Sequence, residues 1–185
     1  MSDFLTDVKT LRERAREKME EGPVTAAYGA DRDRVVEVLN EALATELVCY
    51  LRYKRHYFMA DGINAAAAAA EFLEHATQEL GHADQIAARI TQLQGEPNFD
   101  PEGLAGRSHS EYDASSGLLE MVKEDLIAER VAIESYTEII QWLGDKDSTT
   151  RRMLEDILAV EEEHADDLLN LMAGLDGVDG ANGHA

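Results

Sequence analysis

Six side chains in this chain have the types and spacings of a divalent-metal site. Glu79 and His82 stand three residues apart in "HATQELGHADQ", and Glu161 and His164 repeat that interval in "AVEEEHADDL". Glu46, in "LNEALATELVCYLRY", and Glu129, in "LIAERVAIESY", are single carboxylates set in apolar stretches. On a helix, a Glu and a His at this spacing share a face about one turn apart, so both reach one layer. Four carboxylates and two neutral imidazoles balance the charge of two M²⁺ ions. They supply six ligands and leave positions open for water or oxygen. Oxygen donors with imidazole suit iron or manganese, and also hold zinc. A lone Glu-x-x-His pair in so acidic a chain is an ordinary helix face. The weight of these six comes from the elements that carry them.

Four long amphipathic helices are predicted, over 33–60, 65–94, 116–143 and 148–173, which makes the chain all-α. No proline interrupts residues 31–95 or 113–173. Asp31 or Asp33 is the candidate N-cap of the first, "DGIN" closes it, and Gly95 with Pro97 closes the second. Each helix carries an apolar stripe at 3-4 spacing. The stripes read Val36, Leu39, Leu43, Glu46, Tyr50, Tyr53; Phe72, Ala76, Glu79, Ala83, Ile86; Val122, Leu126, Glu129, Ile133, Tyr136, Ile140; and Leu154, Ile157, Glu161, His164, Leu168, Leu171. Every stripe holds an acidic residue near its middle. Each of the four lies about 16 residues from its hairpin turn, roughly 24 Å along the axis. Antiparallel hairpins therefore bring all six donors to one level. Left empty, that layer is unfavourable, because each buried ion costs several kcal/mol and like charges repel. Two hairpins joined by a long crossover (95–115) describe a four-helix bundle of ferritin-like connectivity.

Around the bundle, expected over 31–173, residues 1–30 are predicted to form a short helix (3–21) and a linker, and 174–185 a flexible tail. The run of six alanines at 65–70 reads as a close-packing face. The net charge of -21 repels nucleic acid and anionic membranes and attracts cations. The single cysteine, Cys49, excludes an intramolecular disulfide and a CxxC zinc or rubredoxin-type site. The N-terminus has no apolar leader and no stretch approaches a membrane span, so a cytoplasmic protein is expected.

The four quoted motifs resemble the bacterioferritin branch of the ferritin superfamily over about 33–173, and within it the Dps-like bacterioferritins. The resemblance implies iron storage and detoxification. A non-haem di-iron ferroxidase centre would oxidise Fe²⁺ with O₂ or H₂O₂ and mineralise Fe³⁺ inside a homo-oligomeric shell. It makes Glu46 and Glu129 terminal ligands, Glu79 and Glu161 bridging ligands, and His82 and His164 the imidazole of each iron. Tyr53 matches the tyrosine that bacterioferritins keep beside the site. Leu80 stands where haem-binding relatives have methionine, so haem is not expected. The short Gly-rich end after 173 favours a 12-mer over a 24-mer. The crossover lacks the cysteine pair of some Dps-like relatives.

Other chemistry uses the same bundle. Rubrerythrin-like peroxidases and manganese catalases share the donors, although the rubredoxin cysteines are missing. A Dps-type DNA-protecting role is a further alternative. Five basic and five acidic residues cancel over 1–20, which argues against DNA binding through that segment. "RYKRHYF", 52–58, reads as a subunit interface. Cys49 reads as a small core side chain. His75, one turn before Glu79, reads as an inner-wall residue with a role in iron transfer as the alternative.

Overall fold

The computed structural model describes residues 6–62 and 65–181, with side chains described to residue 175. Six helices run in the order α1 (Val8–Arg14), α2 (Arg32–Met59), α3 (Ala65–Gln92), α4 (Leu104–Arg107), α5 (Leu118–Leu143) and α6 (Ser148–Ala181), and no strand occurs among the described residues. Hairpins α2–α3 and α5–α6 make the bundle. The expected all-α, ferritin-like four-helix architecture is therefore present. No helix among the described residues is long and apolar enough to cross a membrane.

Local chemistry sets the helix ends. Asp31, rather than Asp33, caps α2 by accepting from Arg34 N at 3.2 Å. Asp147 does the same for α6, accepting from Thr150 N at 3.0 Å and from the Thr150 hydroxyl at 2.6 Å. Gly144 ends α5 at φ +54°, ψ -124°, a conformation that favours glycine. At the end of α3 the left-handed residue is Gln94 (φ 62°), and Gly95 N donates back to Ile90 O at 2.9 Å. Glycine at 95 answers a close approach instead: a Cβ there would stand 2.5 and 2.8 Å from the two γ-methyls of Val36.

The core is two apolar clusters with a polar layer between them. One joins Val35, Leu39 and Leu43 of α2 to Ile86, Ile90, Tyr136, Leu143, Leu154 and Ile157, at the end holding the α5–α6 turn. The other joins Tyr53, Phe72, Ala76, Met121, Val122 and Leu168 at the opposite end. The crossover runs the length of the bundle between these ends and covers the α2–α5 groove. Arg52 donates to Glu111 O and Glu124 O, and Arg55 to Ser115 O. The α3–α6 groove lies on the opposite side.

Several expectations change in detail. The α5 stripe is rotated: Asp125, Ala128, Ala132, Ile139 and Leu143 are buried, whereas Leu126, Ile133 and Ile140 are half-buried. Two of the buried positions are the small residues Ala128 and Ala132, so choosing the largest apolar residues misplaces the face. In the alanine run, Ala65 and Ala68 are buried and Ala66, Ala67 and Ala70 are exposed. The N-terminal helix covers only Val8–Arg14, buries nothing, and is followed by Lys18 at φ 48°; residues 3–5 of the expected 3–21 span lie outside the described set. The linker anchors this segment: Tyr28 donates to Asp147 Oδ2 at 2.8 Å, with Val24 and Ala30 packed on the core. α6 continues to Ala181, past the expected stop at 173. No proline breaks it, each glycine costs a helix only about 1 kcal/mol, and Leu175 packs on the second cluster. Residues 52–58 point largely inward. Arg52, Tyr53 and His56 are buried, and Arg52 and His56 both pair with Asp125, at 2.9 and 2.8 Å. Phe58 alone of the run is strongly exposed, at 75 %. Lys54, Arg55 and Tyr57 are half-buried, with Lys54 Nζ over the rings of Tyr57 and Phe58, so the outer side of this run stays available for the expected subunit interface.

Candidate metal centre

Glu46 comes from α2, Glu79 and His82 from α3, Glu129 from α5, and Glu161 and His164 from α6. All six are buried, none more than 5 % exposed. They fill the layer between the apolar clusters, at the level the residue count predicts.

Their donor atoms fall into two overlapping groups. Glu46, Glu79, His82 and Glu161 offer one set, and Glu79, Glu129, Glu161 and His164 the other, each with its atoms within 4.8 Å of one another. Glu79 and Glu161 belong to both. His82 Nδ1 lies 2.8 Å from Glu161, 3.3 Å from Glu46 and 3.9 Å from Glu79. His164 Nδ1 lies 3.5 Å from Glu161, 3.6 Å from Glu79 and 3.7 Å from Glu129.

Seven of these inward atoms are buried without a hydrogen-bond partner: Glu46 Oε2, Glu79 Oε1, His82 Nδ1, Glu129 Oε2, both oxygens of Glu161, and His164 Nδ1. Native interiors leave very few polar atoms in that condition, and this many in one layer fits a site built to be filled by cations. Three of the outward atoms, by contrast, are held. Tyr136 donates to Glu46 Oε1, and Tyr53 to Glu129 Oε1. His164 Nε2 faces Gln78 Oε1 at 2.8 Å. With the amide oxygen facing the ring, Nε2 carries the hydrogen, so that Nδ1, once it gives up its proton, would present its lone pair inward.

Electrostatics without a cation are strained. Burial, reinforced by the other three carboxylates, pushes the Glu79 carboxyl well up, and burial with Glu46 and Glu129 pushes Glu161 to about 7. Burial works against charge on His82 and His164, but their carboxylate contacts outweigh it and push both up to about 12. Burial also opposes charge on Glu129, where the nearby His164 ring and the hydrogen bond from Tyr53 prevail and hold its pKa down. The cluster thus neutralises itself by retaining protons.

All six sequence-predicted donors come together, and Tyr53 stands beside them. Cys49 is a buried core thiol, and burial pushes its pKa far up, against reactivity. The sequence reading overlooked Tyr136 and Gln78. A signal for Tyr136 was available. Tyr53 lies seven residues after Glu46 and Tyr136 seven after Glu129, and each tyrosine crosses to the other's glutamate. A surface cleft of about 900 Å³ between the start of α2 and the crossover is lined by none of these six residues.

A ferritin-like domain profile matches residues 36–178. The chain belongs to the ferritin-like family. Its relatives include bacterioferritins: that of Rhodobacter capsulatus is 31 % identical over 137 residues, covering 72 % of this chain and 79 % of its own. A dodecameric thioferritin, the bacterioferritin-related protein of Bacteroides fragilis, superposes with a TM-score of 0.79 at 32 % identity, covering 83 % of this chain and 92 % of that one. The bacterioferritin of Desulfovibrio desulfuricans, whose diiron site is known in different catalytic states, superposes at 0.70 with 26 % identity, covering 79 % and 82 %. This ferritin-like chain thus shares its fold with proteins that carry a diiron site and with one that forms a twelve-subunit shell.

Proposed function

We propose that the chain is an iron-storage and detoxification protein with a non-haem di-iron ferroxidase centre. The carrying observation is the pair of four-donor groups that share Glu79 and Glu161. Glu46 and His82 would hold one iron, Glu129 and His164 the other, and the shared carboxylates would bridge them. Bound there, Fe²⁺ would supply the electrons for reduction of O₂ or H₂O₂ and would itself be oxidised to Fe³⁺. The chain's own residues do the rest. Tyr136 and Tyr53 each hold one oxygen of a terminal carboxylate and leave the other aimed inward. Gln78 fixes the ring of His164. The anionic carboxylates favour the more highly charged oxidised state, and the apolar clusters on both sides exclude bulk water. Soluble, cytoplasmic assembly into a 12-mer rather than a 24-mer belongs to the same reading and is supported by the dodecameric relative. Twelve copies of 20.5 kDa would give a particle of about 246 kDa by light scattering. Manganese or zinc could occupy the same donors, and neither haem nor DNA binding is proposed.

Replacing Glu79 with alanine removes one bridging carboxylate. The expected result is loss of rapid Fe²⁺ oxidation, followed by ferric absorbance, with an assembled particle of unchanged mass. Unchanged oxidation kinetics in Glu79→Ala would overturn the assignment. Rapid peroxide dismutation by the wild type, with no stored iron, would instead favour a catalase on the same bundle.

A further inference from the structure

A second set of donors lies in the α3–α6 groove, outside the six-residue layer. His75 is 1 % exposed. Its Nδ1 meets the Tyr53 hydroxyl at 3.3 Å. Tyr53 commits its one hydroxyl hydrogen to Glu129, so Nδ1 is the donor in that contact. Nε2 then makes no hydrogen bond among the described residues. It points between two carboxylates, with Glu71 Oε2 at 3.7 Å and Asp167 Oδ2 at 3.8 Å. Both distances are beyond hydrogen-bond reach. They suit donors arranged around one cation, which stand about 3–4 Å apart when each metal–ligand bond is about 2.0–2.2 Å. One donor atom from each of the three residues lies within 4.8 Å of the others. The carboxylate side chains are 39 % and 46 % exposed, so the group opens to solvent on one side and ends on a buried imidazole on the other.

The internal likeness of the two hairpins supplies a control. If Glu79 corresponds to Glu161, then Glu71, His75 and Asp167 correspond to Met153, Ile157 and Gln85. The related place carries apolar and neutral side chains: Ile157 is core, Met153 is half-buried and Gln85 is exposed. The three donors are therefore not a by-product of the pattern that builds the six-residue layer.

We propose that Glu71, His75 and Asp167 form a third, mononuclear site for a divalent transition-metal ion, open to the α3–α6 groove. The imidazole selects Fe²⁺, Co²⁺ or Zn²⁺ over Mg²⁺ or Ca²⁺. The His75 ring stacks on His164 with centroids 4.0 Å apart, and His75 also lies within donor range of Glu129 and His164. The third site thus sits between solvent and the di-metal layer, as a staging point for ions moving to or from it. The staging role rests on the di-metal reading; the site itself does not.

Anaerobic Co²⁺ titration of the assembled full-length protein tests this, together with anomalous diffraction at the cobalt edge. Wild type is expected to bind three ions per subunit, with one anomalous peak among Glu71, His75 and Asp167. The Glu71→Gln, Asp167→Asn double variant is expected to bind two and to lose that peak alone. A wild type that binds two ions, a third peak elsewhere, or a double variant that keeps the peak overturns the site. Glu46→Gln combined with Glu161→Gln should lose the two layer ions and keep the third. Retention of all three there overturns the di-metal reading while still supporting this site.

Discussion

At the scale of single residues, protons stand where cations are proposed to bind. His82 and His164 are pushed up to about 12 by their carboxylate contacts, which outweigh burial, and Glu161 to about 7 by burial and its acidic neighbours. A group whose pKa is raised on folding stabilises the fold fully below its unfolded value, and that stabilisation is lost as pH climbs through the folded value. For the two histidines the loss runs from about 6.5 toward 12, and for Glu161 from about 4.5 to 7. The metal-free protein should therefore weaken as pH rises through neutrality. Metal ligation requires these same groups deprotonated, so the metal-loaded protein gains over the same interval. The melting-temperature difference between Zn²⁺-loaded and chelated protein should grow from pH 6 to pH 8. Loading at pH 7 in weak buffer should release about two protons or more per subunit. A difference independent of pH would mean that the six donors do not hold the metal. His75 behaves oppositely: burial, helped by His164, lowers it to about 4, so its neutral form is favoured and acid below about 6.5 erodes stability.

Helices and their junctions show why the sequence was legible where it was. Starts and stops depend on local side chains, so the ends of α2 and α5 could be read directly and the cap of α2 narrowed to Asp31 or Asp33. The heights of Glu46, Glu79, Glu129 and Glu161 follow from rise per residue and turn position, which is why their convergence was calculable. Rotation about the axis was less legible. It depends on how closely the helices approach, and Ala128 and Ala132 let α5 turn Asp125 inward onto Arg52 and His56. Partners across the bundle, such as Tyr136 to Glu46 or Gln78 to His164, need both faces known together. Gly95 is a sharp example. It reads as a helix terminator, yet Gln94 takes the left-handed conformation and Gly95 makes room for Val36. Gly95→Ala forces a methyl onto both Val36 γ-carbons and should cost about 1–3 kcal/mol. Urea unfolding of the metal-free protein would register it as a lower midpoint at unchanged slope. A midpoint equal to wild type would show that α2 yields there without strain.

For the whole molecule, the decisive quantity is charge. Asp and Glu number 38 against 17 Lys and Arg, a net charge of -21 carried by every copy. Beyond the layer that the mechanism uses, Glu71 and Asp167 extend this acidity along the α3–α6 groove toward solvent. A field of one sign focused along a groove raises the local concentration of counter-ions and speeds their capture. Salt screens such a field, the Debye length falling from about 10 Å at 0.1 M to about 3 Å at 1 M. The buried layer is screened far less. Ionic strength should therefore separate arrival from chemistry. At Fe²⁺ well below saturation, the initial oxidation rate should fall several-fold as NaCl rises from about 0.02 M to 0.5 M, because capture is steered. At saturating Fe²⁺ the turnover rate should stay nearly constant, because the donors meet in a water-excluded layer. Stopped-flow ferric absorbance at both iron levels makes the comparison. A low-iron rate indifferent to salt would mean that ions reach the centre without help from the acidic surface, and the net charge would then serve only solubility.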